Sequence, residues 1–213
     1  MSRVLLTGFG AYGEERDNPS GWIARRLDGI RVDGARVAGR VLPVDTEGVR
    51  SALVAAIDEV GPEIVLVTGV APGRPSPAVE RVAINVRDFP VPDINGHTPI
   101  DLPVEPGGPE AYLSTLPIKA IVDGWRAAGI PSYVSNTAGT YLCNQTFYLA
   151  RHLCAARAGM VHIPATPARA AVAGTPPPPS MSPADLEEAV RLAIAITVGH
   201  RGPDLPVAGG AIS

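Results

Sequence analysis

Residues 3–13 read RVLLTGFGAYG, and the reading of this stretch decides what kind of α/β protein the chain can be. Arg3–Thr7 carries the apolar run of a buried strand. Gly8, Gly10 and Gly13 then spell G-x-G-x-x-G, the spacing of a dinucleotide-binding loop. Such a loop works only if a helix starts inside the motif, so that its N-terminal amides face the pyrophosphate. Here Glu14-Glu15-Arg16-Asp17 follow, and the first helix signal is Asn18-Pro19-Ser20. Asn18 suits the N-cap and Pro19 the first helical position. Two carboxylates beside the loop would also repel a phosphate. The acidic residue that should end the second strand is absent; the nearest, Asp28, precedes Gly29 at a helix end. The glycines are therefore read as a strand-to-loop turn at the carboxyl end of the first strand, the edge where α/β sheets bind ligands. Phe9 and Tyr12 on that turn could form an aromatic wall.

Working outward, the helix opened by Asn18 should run to about Leu27, and Ala35–Pro43 reads as a second strand. Thr46–Val60 has helical spacing at Val49, Leu53, Ala56, Ile57 and Val60, closed by Gly61-Pro62. Ile64–Gly69 is an apolar strand of the interior parallel kind. Residues 71–110 are rich in Pro and Gly around one alternating segment, Arg81–Val86, and predict an inserted hairpin with long loops. Helices are expected over Pro117–Ala128, Leu142–Ala156 and Ser182–Thr197, and strands over Ser132–Ser135 and Met160–Pro164. Thr175–Pro183 is a proline-rich linker. Strands alternating with helices predict a single three-layer α/β/α sandwich with a mainly parallel central sheet over residues 1–200, followed by a loose tail over 201–213.

Composition sets bounds on function. The 213 residues suffice for one full-sized core, and 46% of them are hydrophobic. A net charge of −3 with no basic face argues against nucleic acid. No apolar run reaches the roughly 18 residues of a membrane span. The start, MSRVLLTGFG, enters a glycine turn and not a cleavage site, so a cytoplasmic protein is expected. No Cys-x-x-Cys and no His-Glu-x-x-His supports a zinc site. The two cysteines, Cys143 and Cys154, fall on one expected helix. At about 1.5 Å rise per residue they lie roughly 16 Å apart, too far for an internal disulfide.

The strongest chemical signal is Ser135–Gln145, SNTAGTYLCNQ. A strand ends, a Gly-containing turn follows, and a helix begins near Cys143. A thiol there feels the positive end of the helix dipole, and free first-turn amides could hold an oxyanion. The plainer reading is a buried cysteine packing as a small hydrophobe. His162 ends a short apolar strand on the same sheet edge and could serve Cys143 as a base. Alone it would be read as a hydrogen-bonded structural histidine. His97 lies in a loop, His152 along the Cys143 helix and His200 in the tail, and all fit worse. A third group should orient the imidazole. Glu80 is the candidate, although a pair with Arg81 or Arg74, or simple solvation, would account for it equally well.

With these residues in view the chain resembles the pyrrolidone-carboxylate peptidase (pyroglutamyl peptidase I) family of cysteine peptidases. The matching stretches are Thr7–Gly10 with Asn18-Pro19; Gly73-Arg74 with Glu80–Asn85; Ser114–Ile118; Ser135–Asn144; and Gly159–Pro164. They come in the family's order and span residues 3 to about 197. The resemblance implies an α/β/α sandwich that removes an N-terminal pyroglutamyl residue from peptides through a thiol acyl-enzyme, without cofactor or metal. On it Cys143 is the nucleophile, His162 the base and then the acid, and Glu80 the group that orients the imidazole. Phe9 and Tyr12 would flank the lactam ring, Asn18 would hydrogen-bond it, and Val70 and Leu142 would complete the pocket. It also implies a homo-oligomer, tetramer or dimer.

Several positions depart from the family pattern. Val70 stands where the family has Gln, Pro72 where it has Gly, Pro90 where it commonly has Arg, and Gly10–Gly13 replaces Glu-Pro-Phe-Gly. If the family Gln acts through its backbone, Val70 can serve in its place; if it acts through its side-chain amide, affinity or specificity has shifted. Besides the phosphate-dependent enzyme on the glycine loop, the alternative is a catalytically altered relative that binds peptide N-termini.

Overall fold

A computed structural model describes residues 2–13 and 18–210. Strand β1 is Arg3–Phe9, and its side chains alternate between two cores as a strand's geometry demands. Val4 and Leu6 enter one core, and Leu5 and Phe9 the other. Helix α1, Pro19–Leu27, starts where its capping signals put it: the Asn18 side chain accepts from Ser20 N–H and Pro19 opens the first turn. A Cβ on Gly8 would lie 2.1 Å from the Ser20 carbonyl oxygen. The glycine thus lets α1 lie tight against β1, and no helix begins within the glycine stretch. The phosphate-loop alternative is corrected on this ground: the amides that would bind a pyrophosphate are not there. Glu14 and Glu15, the carboxylates expected to repel a phosphate, lie outside the described residues.

The remaining elements are β2 (Arg31–Val32), β3 (Ala35–Leu42), α2 (Gly48–Val60), β4 (Ile64–Val70), β5 (Ala78–Glu80), β6 (Val82–Ile84), β7 (Ala111–Leu113), α3 (Ile118–Ala127), β8 (Tyr133–Ser135), α4 (Leu142–Leu153), β9 (Arg157–Ile163), α5 (Pro167–Ala170) and α6 (Pro183–Gly199). Gly61 closes α2 in the left-handed conformation, at φ 54°, which a residue without Cβ adopts freely. The central sheet has seven strands in the order β2-β3-β1-β4-β9-β5-β8. Strands β3, β1, β4 and β9 run parallel; β5 and β8 run parallel to each other but antiparallel to β9. Helices α1, α3 and α6 cover one face, and α2 and α4 the other. The layers are those of an α/β/α sandwich.

Of the expected segment Arg81–Val86 only Val82–Ile84 is strand, and a further strand that the sequence reading did not expect lies just before it. Ala78–Glu80 joins the main sheet as β5, and Val82–Ile84 turns away to pair with Ala111–Leu113 in a separate ribbon. Alternation reports a half-buried strand but not which partner it takes, and β5 is buried throughout. Helix α4 stops at Leu153, so Cys154 sits just past its end and bonds back to the Ala150 carbonyl at 3.3 Å. The free cysteines Cys143 and Cys154 thus occupy opposite ends of α4. Residues 201–210 carry no helix or strand, yet they are tied to the body. Asp204 accepts from Lys119 N–H at 2.9 Å and Ala120 N–H at 3.1 Å, capping α3, and Arg81 donates to the Gly209 carbonyl at 2.8 Å.

Candidate active site

The site forms where β4, β9 and β5 meet the start of α4. Gly69 pairs with His162 in the parallel β4/β9 register, and Ala78 pairs with His162 across the antiparallel β5. Glu80 pairs with Met160, two residues from His162 on the same face of the sheet. The antiparallel joint of β5 onto β9 therefore carries the carboxylate diagonally across to the imidazole. His162 Nδ1 and Glu80 Oε1 are 2.7 Å apart, both side chains being buried. With Nδ1 held by Glu80, Nε2 is the ring nitrogen left for Cys143, whose sulfur interacts with the imidazole.

Cys143 is the second residue of α4. Tyr141 takes the N-cap position without a side-chain bond, and the backbone ladder opens with Gln145 N–H on the Tyr141 carbonyl at 3.1 Å. The amides of the first turn have no acceptor inside the helix and are available to a developing oxyanion. A Cβ on Gly69 would lie 2.6 Å from the Cys143 sulfur and 3.0 Å from Met160 Cε. Glycine at this point of β4 is what gives the sulfur its place above the sheet. Helix α4 is clamped in turn. The Asn144 amide accepts from Ile84 N–H and donates to the carbonyls of Ile84 and Val86, each at 2.9 Å. Gln145 exchanges hydrogen bonds with Thr46, whose backbone N–H donates to buried Asp93.

Charge follows from this geometry. Burial pushes the His162 pKa down, but the negative charge and hydrogen bond of the Cys143 sulfur, with those of Glu80, outweigh it and raise the value to about 9. Burial pushes the Glu80 carboxyl up, and the hydrogen bond and charge of His162, the Ser135 hydroxyl nearby and the Arg74 guanidinium bring it below its ordinary value. Of the partners weighed for Glu80 in the sequence, His162 and Arg74 are both realised: Arg74 Nη1 donates to the same Oε1 at 2.6 Å. Arg81 turns instead to Asn136 and the tail.

The thiol opens into a cavity of about 250 Å³. Phe9, Tyr12, Asn18, Val70 and Leu142 line it together with Cys143. Asn18 Oδ1 is occupied by the N–H and hydroxyl of Ser20, which leaves its amide nitrogen to meet a ligand. Pro72, one of the departures from the family pattern, completes the lining with Val44, Val91, Tyr141 and Arg169, which were not singled out from the sequence. Val91 sits in irregular chain and Arg169 on the four-residue helix α5, where no periodic signal exists to find them. The Tyr12 and Tyr141 hydroxyls both donate to the Pro92 carbonyl, at 2.6 and 3.1 Å, so the two rings hold the loop over the pocket. Pro90 is exposed on that loop and is not part of the lining. Among the described residues, Asp45, Asp93 and His97 bring possible ligand atoms within 4.8 Å. Both Asp93 oxygens there already accept backbone N–H groups, from Thr46, Asn95 and His97.

Fold and site are those of a cysteine hydrolase on an α/β/α sandwich. The family model described as pyroglutamyl peptidase matches residues 2–200. A pyrrolidone-carboxylate peptidase of Chromobacterium violaceum is 45% identical over 212 residues, covering 100% of both chains. One from Klebsiella pneumoniae is 44% identical over 215 residues, covering 99% of each. The solved pyrrolidone carboxyl peptidase from Thermococcus litoralis superposes with a TM-score of 0.94 at 35% identity, over 98% of this chain and 100% of that one. The chain belongs to the pyroglutamyl peptidase family.

Proposed function

We propose that this protein removes the N-terminal pyroglutamyl residue from peptides, with Cys143 as nucleophile, His162 as general base and acid, and Glu80 as the group that orients the imidazole. The observation that carries this is the buried Glu80–His162 pair turned toward a thiol at the mouth of a small cavity. The Cys143 thiolate attacks the pyroglutamyl carbonyl carbon, and first-turn amides of α4 receive the oxyanion. Collapse breaks the C–N bond as His162 passes its proton to the leaving amine. Water, giving a proton to His162, then opens the thioester and releases pyroglutamate.

Pocket chemistry supports a lactam over a free amino terminus. Phe9 and Tyr12 offer flat apolar faces, and none of the described lining residues is acidic. An ammonium group would meet no carboxylate among them. The neutral lactam needs only a hydrogen bond, which Asn18 can supply through its amide. Val70 contributes a methyl-lined wall where the family has Gln. The resemblance further supports a cytoplasmic homo-oligomer, dimer or tetramer, and the exposed side chains of Val91, Ile94, Ile100 and Leu102 on one loop favour self-association. Among the described residues no helix is long and apolar enough to cross a membrane.

Hydrolysis of a fluorogenic pyroglutamyl amide under reducing conditions tests the reading. Cys143→Ala lowers kcat by at least about 10³-fold. Equal turnover by both proteins would sink the cysteine mechanism, and no turnover by folded wild type would turn the assignment toward the altered relative that only binds.

A further inference from the structure

Arg74 lies in the loop between β4 and β5 and takes no part in lining the cavity. Its guanidinium nevertheless spans the two halves of the catalytic edge. Nη1 donates to Glu80 Oε1 at 2.6 Å and Nη2 to the Thr137 carbonyl at 3.2 Å. Thr137 belongs to the turn that leads from β8 into α4, and its carbonyl also accepts from the Ser135 hydroxyl at 3.1 Å. Glu80 Oε1 thus serves both Arg74 and His162 Nδ1, while the buried Oε2 has no hydrogen-bond partner. A carboxylate with two oxygens could turn either one to the imidazole. The fork of the guanidinium, anchored at its other end to Thr137, removes that freedom.

We propose that Arg74 is a positioning residue of this site, tying the Glu80 carboxylate to the turn that carries Cys143 and fixing which oxygen His162 uses. The inference rests on the cysteine-peptidase reading of the site. It also sets the local charge. The groups facing His162 are Glu80 from β5 and Cys143 from α4, with the Ser135 hydroxyl from β8 and Arg74 beside Glu80, while Gly69 of β4 brings no side chain. The Arg74 guanidinium offsets part of the negative charge gathered around the imidazole. Without Arg74 an excess negative charge surrounds the imidazolium, which then holds its proton more tightly and yields it less readily to the leaving amine.

Arg74→Gln and Arg74→Lys test this in the full chain. For Arg74→Gln, kcat on a pyroglutamyl amide falls about tenfold or more while KM stays within about twofold, because the residue acts through another and not on substrate. The His162 imidazole midpoint, followed by NMR, moves up by roughly half a unit or more. Arg74→Lys returns the midpoint toward wild type but only part of kcat, since an ammonium restores the charge and not the two-ended fork. Unchanged kcat would overturn the proposal, as would a lower melting temperature with the midpoint unmoved. Should Arg74→Gln fail to fold, a Lys variant equal to wild type in kcat and midpoint overturns it as well. If wild type fails to cleave the amide, the functional reading falls. The imidazole midpoint and the iodoacetamide reactivity of Cys143 then still decide for or against Arg74, because neither needs a substrate.

Discussion

At Gly69 a single methyl group would compete with the catalytic sulfur for space. The added Cβ, 2.6 Å from Cys143 Sγ, has nowhere to go except by moving that sulfur or the Met160 side chain. Gly69→Ala is expected to lower kcat at least tenfold while destabilising the fold by only about 1–3 kcal/mol, the usual cost of overpacking. Steady-state kinetics beside a denaturant melt would separate the two effects. A variant with wild-type kcat would show that the sulfur does not depend on that space. Gly69 was legible in the sequence only as the end of an apolar strand, because the atom it makes room for comes from a residue more than seventy positions away. Glu80 was legible as a candidate with three possible fates. Its full burial ruled out solvation and left it shared between Arg74 and His162, the latter at a sequence separation of 82. Phe9, Tyr12, Asn18, Val70 and Leu142 converge on one cavity, whereas Arg169 and Val91 carried no local pattern that could single them out.

Helix α4 presents the nucleophile only because its first turn is held against β6. The Asn144 side chain makes three hydrogen bonds to that strand and its following residues, and it is fully buried. Asn144→Ala leaves one N–H and two carbonyls without these partners and should cost about 3 kcal/mol, read as a lower denaturation midpoint with an unchanged m-value. Loss of much less than about 1 kcal/mol would mean that water replaces the amide. The bounds of α1, α2 and α6 followed from caps and periodicity, since Asn18, Gly61 and Ser182 act within one turn of their own helices. The strand Ala78–Glu80, just before the expected segment Arg81–Val86, did not. Strand partners are set by distant chain, and β5 finds its neighbours in β8 and β9. The cap on α3 comes from Asp204, beyond the reach of any local signal.

Over the whole molecule, buried charge ties stability to pH with a definite sign. Glu80 and Asp93 are both held below their ordinary values of 4.5 and 3.8, so their contributions are present above those values and fade as pH falls through the folded ones. Burial opposes ionisation in each; His162 outweighs it for Glu80, and three backbone N–H groups do so for Asp93. His162 is raised from 6.5 to about 9, so its contribution is full below 6.5 and is lost as pH rises through 9. These groups together place the highest melting temperature between pH 4.5 and 6.5, with a decline on the alkaline side complete near 9. Calorimetry across that range checks it, and the alkaline decline should vanish in His162→Gln. A decline that persists there would assign the effect elsewhere. From sequence alone came the alternation of strands and helices, the helix caps, the failure of the glycine stretch as a phosphate loop and the motif in which each reactive residue sits. Those rest on interactions within a turn or along one strand, which neighbouring residues determine. Tertiary structure alone decided that β9 lies between β4 and β5, that Glu80 reaches His162 across an antiparallel joint, and that Arg74 reaches both Glu80 and Thr137. Strand order and buried ion pairs depend on packing between segments far apart in the chain, and local propensity carries no term for that.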